Sequence, residues 1–216
     1  IQRALRGRVQ VDEGNAKLGG LDMTPRDLRH VGHVVNIGCG TSYNAGLVGA
    51  MALETLARVP ARCEIASEFR HRHPIVPDDA LFFAISQSGE TLDTLGAVEE
   101  VQIKGGQVMG VINVVGSTIA RRVGRGGYVY SGPEIAVAST KAFTSQVTAL
   151  LVFTLMIART RNLSLDDHGI YLVATIMDDG IPEKLHHAGF DVYFHDRNMY
   201  RVRPGDTQTA NRSLEG

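Results

Sequence analysis

Apolar residues recur along this chain in two rhythms. Short continuous or β-branched runs alternate with stretches in which apolar positions return every three or four residues. The first rhythm marks buried strands and the second helices with one inward face. Val34, Val35 and Ile37 open the series, residues 81–85 form a second strand, and 108–115 a third with β-branched enrichment. Residues 62–65 and 128–130 are shorter strand candidates. Helical spacing runs from Ser42 to Leu56, where Leu47, Ala50, Met51, Leu53 and Ala57 share a stripe expected to face the core. It returns over 91–104, through Leu92, Leu95, Val98 and Val101, and ends at Gly105-Gly106 as helices commonly do. A short helix is predicted over 117–123, and a long, nearly all-apolar one of the buried kind over 140–158. Strands alternating with helices imply an α/β fold: a parallel sheet covered by helices on both faces.

The remaining stretches are polar. Residues 1–8 are basic and helix-like, and 12–20 are loop-like. Pro25 is placed to open a short helix capped by Thr24. Residues 68–73 are charged and expected to face solvent, and Pro74 and Pro77 break the chain after them. From Leu163 the character changes. Residues 169–177 and 191–195 read as strands, 181–188 as a short helix, and 201–216 as a polar, turn-rich end. The chain therefore divides into a core of residues 1–161 and a tail, 162–216, of separate character.

Where strands hand over to helices, two corners stand out. One is Gly38-Cys39-Gly40-Thr41-Ser42 and the other Ser86-Gln87-Ser88-Gly89-Glu90-Thr91. Glycine lets a backbone approach a ligand, and N–H groups at a helix start carry partial positive charge. Serine and threonine add directed donors. Such corners suit an anion, above all a phosphate ester, and they fall at the carboxyl ends of strands, where α/β sheets bind ligands.

Competing chemistries fit less well. A dinucleotide fingerprint needs glycine three places after Gly40, where Tyr43 stands, and no Gly-Lys-Ser/Thr triphosphate loop is present. The structural alternative is that Gly38 and Gly40 only make a tight turn, while Ser42, and Ser88 or Thr91, only cap helices. That alternative leaves Ser86 and Gln87 without a role. Cys39 is a candidate nucleophile, but a small buried thiol is the commoner case. Histidines 71, 73, 186 and 187 lack ligand spacing, so no metal is expected, and no cofactor is. Lys141 is either an anion contact or a surface lysine; Glu134 is either an acid–base group or a solvated loop residue.

Composition narrows the partners. The chain has 216 residues, a formal net charge of −1 and 44% hydrophobic residues. A near-neutral balance points to neither nucleic acid nor a membrane surface. The two cysteines, Cys39 and Cys63, do not form a disulfide framework, so a reducing cytoplasm is expected. No apolar run is read as membrane-spanning, because the stretch before Ile157 meets Arg159. The chain opens on Ile1 with no signal-peptide pattern and is expected to be part of a longer protein.

Four blocks carry a resemblance: the two corners, residues 63–70 (Cys-Glu-Ile-Ala-Ser-Glu-Phe-Arg) and residues 134–144 (Glu-Ile-Ala-Val-Ala-Ser-Thr-Lys-Ala-Phe-Thr). In their order and spacing they resemble the first sugar-isomerase (SIS) domain of the glucosamine-6-phosphate synthase family, over about residues 1–161. The resemblance implies a three-layer, doubly wound, flavodoxin-like SIS fold. It implies that Ser42, Ser86, Gln87, Ser88 and Thr91 hold a sugar phosphate, and that Thr41, Val137 and Ser139 contact the sugar. The ligand would be fructose 6-phosphate or glucosamine 6-phosphate, and the assembly a homodimer.

In that family an N-terminal glutaminase domain supplies ammonia. A second SIS domain supplies a glutamate base, a histidine and a ring-opening lysine. None of those motifs is found after Arg161. This chain is therefore expected to bind the sugar phosphate without turning it over efficiently. A non-catalytic SIS sugar-phosphate sensor is the alternative; near-neutral charge and the missing helix-turn-helix argue against it. An interaction module is a third.

Overall fold

The computed structural model describes residues 1–10, 15–133 and 139–161, together with two paired two-residue strands in the tail. Three strands, β3 (His33–Gly38), β5 (Ala80–Ser86) and β6 (Gln107–Ile112), supply the centre of a parallel sheet. Edge strands β4 (Ala61–Ile65) and β7 (Gly126–Tyr128) complete the order β4-β3-β5-β6-β7. Helix α1 (Gln2–Leu5) and a short antiparallel pair, β1 (Val9–Gln10) and β2 (Asn15–Ala16), precede it, β2 falling where loop is predicted from sequence.

Helices cover both faces. On one lie α2 (Pro25–His30), α3 (Thr41–Ala52) and α7 (Thr140–Thr160). There Val34, Leu81, Phe83 and Ile85 pack with Leu28, Leu53, Leu150 and Phe153. Phe83 and Phe153 meet edge-on, ring centroids 4.7 Å apart. On the other lie α4 (Ala66–His71), α5 (Leu92–Ile103) and α6 (Thr118–Val123). Their Phe69, Val98, Val101 and Ile119 pack against Val35, Ile37, Phe82 and Ala84. The alternation along β5 divides its side chains between these two cores, as a sheet buried on both faces requires. The expected three-layer α/β architecture is the observed one.

Local signals worked where they were local. Thr24 and Asp27 form a reciprocal capping box at α2, with Pro25 in its first turn. Strand β7 begins two residues earlier than predicted because Gly126 pairs with Gly110. A Cβ on Gly126 would lie 2.1 Å from the Gly110 carbonyl oxygen. Strand β6 stops at Ile112, leaving Val114 and Val115 exposed rather than in the sheet.

Three expectations are corrected. Residues 68–73 are not simply solvent-facing, since α4 buries Phe69 completely beneath the sheet. Leu92, one of the apolar positions that give the helix over 91–104 its spacing, is 76% exposed. The α3 stripe is turned as well: Leu47 and Met51 are exposed, at 43% and 69%, while Ala45, Gly46, Gly49 and Ala50 face inward. The reason is distance. Helix α3 lies so close to α7 and β4 that a Cβ on Gly49 would sit 2.7 Å from Leu150, and one on Gly46 2.4 Å from the Cys63 sulfur. Only small residues fit that seam.

Helix α7, with 21 residues, is the one described helix long and apolar enough to cross a bilayer. The helix is spent on the core instead, 72% of its most apolar 18-residue stretch being buried in the protein. The strands and helix predicted within 162–193 lie outside the described residues. Within the tail, Phe194–His195 pairs antiparallel with Asn198–Met199.

Candidate functional site

The connection leaving β3 runs outward to β4, whereas the one leaving β5 runs the other way to β6. Between two such strands the loops diverge and open a crevice at their carboxyl ends. Gly38 and Ile85 are register partners across this pair, so the corners that follow them stand side by side.

The Ser86 corner closes on itself. Ser86 is 2% exposed, and its Oγ accepts from the Gly89 amide at 3.0 Å. It also meets Thr91 Oγ1 at 3.3 Å. Ser88 Oγ accepts from the Glu90 amide at 3.1 Å. Gly89 is at φ +68°, and a Cβ there would lie 1.9 Å from Ser117 Oγ, so only glycine fits. Thr91 is the residue before α5, yet its hydroxyl does not cap that helix. Simple capping therefore does not account for these residues. The backbone amides of Gln87 and Ser88 have no acceptor among the described residues.

Glu90 leaves the crevice. Its carboxylate accepts from the Thr118 amide at 2.8 Å, and the Thr118 hydroxyl and amide together hold its pKa below the usual glutamate range. It serves the start of α6.

The Gly38 corner is built differently. Gly40 takes φ 55°, ψ −129° ahead of α3, a conformation suited to glycine. The Ser42 amide donates to the Cys39 carbonyl at 3.1 Å. Thr41 is half-buried, and its amide has no acceptor among the described residues. Ser42 lies inside α3 rather than capping it. Its Oγ accepts from Gln146 Nε2 on α7 at 3.0 Å.

Two polar residues not singled out from sequence complete the rim. Asn113 follows β6: its Nδ2 donates to the Gly132 carbonyl at 2.9 Å, and its Oδ1 accepts from the Ser131 amide at 2.8 Å. It pins the loop after β7 to the sheet edge. Gln146 is the other. Each is a polar residue inside or ending an apolar pattern, at Ile112-Asn113 and within α7, and that interruption is the signal available in the sequence.

Gln87 also lines an open cleft of about 740 Å³, with Asn113, Tyr130, Gly132, Arg3 and Arg6 among its walls. Lys141 is tied down, its Nζ donating to the Pro133 carbonyl at 2.9 Å. Ser139 precedes α7 and is buried; Val137 and Glu134 lie outside the described residues. Both cysteines are free, and burial pushes the Cys63 thiol up to about 12, so it stays protonated. Among the described residues no group of three His, Cys, Asp or Glu is placed to hold a metal.

Fold and corners together describe an α/β domain with two hydroxyl-bearing corners side by side at the switch point of its sheet. The profile of the SIS domain family matches residues 27–156, and the chain belongs to that family. It is 46% identical over 167 residues to the glutamine–fructose-6-phosphate aminotransferase (isomerizing) of Chlorobaculum tepidum, covering 77% of this chain and 27% of that one. The Thermus thermophilus protein of the same name is 46% identical over 161 residues, covering 74% and 26%. Among solved structures, the C-terminal domain of glucosamine-fructose-6-phosphate aminotransferase from Francisella tularensis superposes with a TM-score of 0.67 at 34% identity. That match covers 87% of this chain and 48% of that one. The chain thus spans about a quarter of the length of the curated relatives it matches.

Proposed function

We propose that residues 1–161 are the first sugar-isomerase half of a longer isomerizing aminotransferase, and that they bind fructose 6-phosphate or glucosamine 6-phosphate. The longer protein converts fructose 6-phosphate and glutamine to glucosamine 6-phosphate and glutamate. The observation that carries this is the juxtaposition of two hydroxyl-bearing corners at the β3–β5 switch point. Ser42, Ser86, Ser88 and Thr91 present hydroxyls there, with the amides of Thr41, Gln87 and Ser88 beside them. Neutral donors of this number stabilise a phosphate through charge-assisted bonds. Thr41, Val137 and Ser139 face the sugar in this proposal.

Anchoring the phosphate fixes where the sugar's first two carbons lie. Moving a proton between them requires a positioned base. Glu90, the acidic residue of the Ser86 corner, is committed to α6. The base then comes from a second SIS domain, and ammonia from a glutaminase domain, within a cytoplasmic homodimer.

Titration calorimetry with fructose 6-phosphate tests the binding. Ser86→Ala and Ser88→Ala are each expected to weaken affinity by about 1–2 kcal/mol, the value of a charge-assisted bond. Wild-type affinity in both variants would overturn the assignment. Amino-sugar production by the complete gene product, from glutamine and fructose 6-phosphate, separates an enzyme from a sensor.

A further inference from the structure

Gln146 stands in the most apolar helix of the molecule, in line with Ala142, Ala149, Leu150 and Phe153. That stripe is buried against α3 and the sheet. Gln146 itself is 0% exposed, and its Oε1 has no partner among the described residues. A buried amide that leaves its oxygen unsatisfied opposes folding, and an apolar residue of the same size would not. Packing therefore does not explain a glutamine here. The one bond its side chain makes among the described residues, from Nε2 to Ser42 Oγ, joins residues 104 positions apart.

The direction of that bond matters. A serine hydroxyl has one proton to give and two lone pairs to fill. Here the amide fills a lone pair, so the proton must be donated elsewhere. Ser42 is 6% exposed, and no acceptor for its proton exists among the described residues. With the amide reversed, Gln146 would take the proton and Ser42 would cease to be a donor.

We propose that Gln146 is a positioning residue of the phosphate corner: its N–H, donated to Ser42 Oγ, turns the Ser42 hydroxyl proton toward a bound phosphate ester. This rests on the sugar-phosphate reading above. Gln146 does not touch the ligand in this role; it acts through Ser42.

A double-mutant cycle tests it, with the 216-residue chain titrated calorimetrically with fructose 6-phosphate at pH 8. Gln146→Met, nearly isosteric and apolar, is expected to weaken binding about 3- to 10-fold, the range for one hydrogen bond. Gln146→Leu, apolar and slightly shorter, lacks the N–H as well and is expected to weaken binding by a similar factor. In a Ser42→Ala background, Gln146→Met should add no further loss. An undiminished loss in that background would overturn the proposal, because a structural effect does not need Ser42. Wild-type affinity in both glutamine variants would overturn it too, as would failure of both to fold by circular dichroism. If Ser42→Ala and Ser86→Ala both bind as wild type, the sugar-phosphate reading itself falls. If Ser42→Ala weakens binding while the glutamine variants do not, only the role of Gln146 falls.

Discussion

The two corners that meet at the switch point reach similar ends by different routes. The Ser86 corner is held by bonds among its own six residues, and each hydroxyl already satisfies an amide of the same loop or a neighbouring hydroxyl. The Gly38 corner has no comparable internal network of side chains. Its key hydroxyl is oriented from α7, and its helix is set by how closely α3 can approach Leu150. A self-contained loop keeps its shape when distant packing changes. A loop governed by packing reports on that packing.

The sharpest way to break the first corner is Gly89→Ala. The added Cβ meets Ser117 and forces an alanine to positive φ, at a cost of about 2–4 kcal/mol when strain and overpacking are combined. Denaturant unfolding should show that loss, with sugar-phosphate affinity falling in parallel. A melting curve like that of the wild type would show that the loop relaxes freely.

Asn113→Ala comes next. It leaves the Ser131 amide and the Gly132 carbonyl unpaired, which should cost about 1–2 kcal/mol in unfolding free energy. The Ser86 corner keeps its own bonds, so Ser86→Ala should cost as much affinity in this background as in the wild type.

Gly49→Ala addresses the second corner. Crowding of Leu150 is partly offset by the better helix propensity of alanine, leaving about 1 kcal/mol of destabilisation. Its effect on affinity should vanish in a Ser42→Ala background and persist in a Ser86→Ala one. The opposite pattern would mean that α3 packing acts on both corners alike.

The smallest effect is electrostatic. Glu90 has a lowered pKa in the folded protein because it accepts from Thr118. Its stabilisation is fully present above the unfolded carboxylate pKa and is lost as pH falls through the lowered folded value. The stability gap between wild type and Glu90→Gln should therefore be open at pH 7 and close in acid. Glu90 is exposed, so salt should narrow the gap as well. A gap that widens on acidification would contradict this sign.

Much of the molecule could be read in one dimension. Strand β5 is a continuous apolar run, and β3 is one interrupted inside only by Asn36, because both faces of the sheet are covered, and the capping box of α2 lies within four residues. The Ser86 corner was legible for the same reason: its partners are sequence neighbours. Phe69 was not, since a lone aromatic among charges gives no period, and its burial depends on which sheet face α4 crosses. Nor was the orientation of α3. Large apolar residues normally mark the inward face of a helix, and Leu47 and Met51 violate that because the close approach to α7 and β4 admits only small residues.

Short-range chemistry, then, was written in the chain itself: which segments extend, where they turn, and where hydroxyls and glycines gather. Contacts across more than a hundred positions, such as Gln146 with Ser42, came from tertiary structure alone. The reason is physical. A hydrogen bond between distant residues depends on how closely two helices approach, and that distance is set by the packing of every side chain between them.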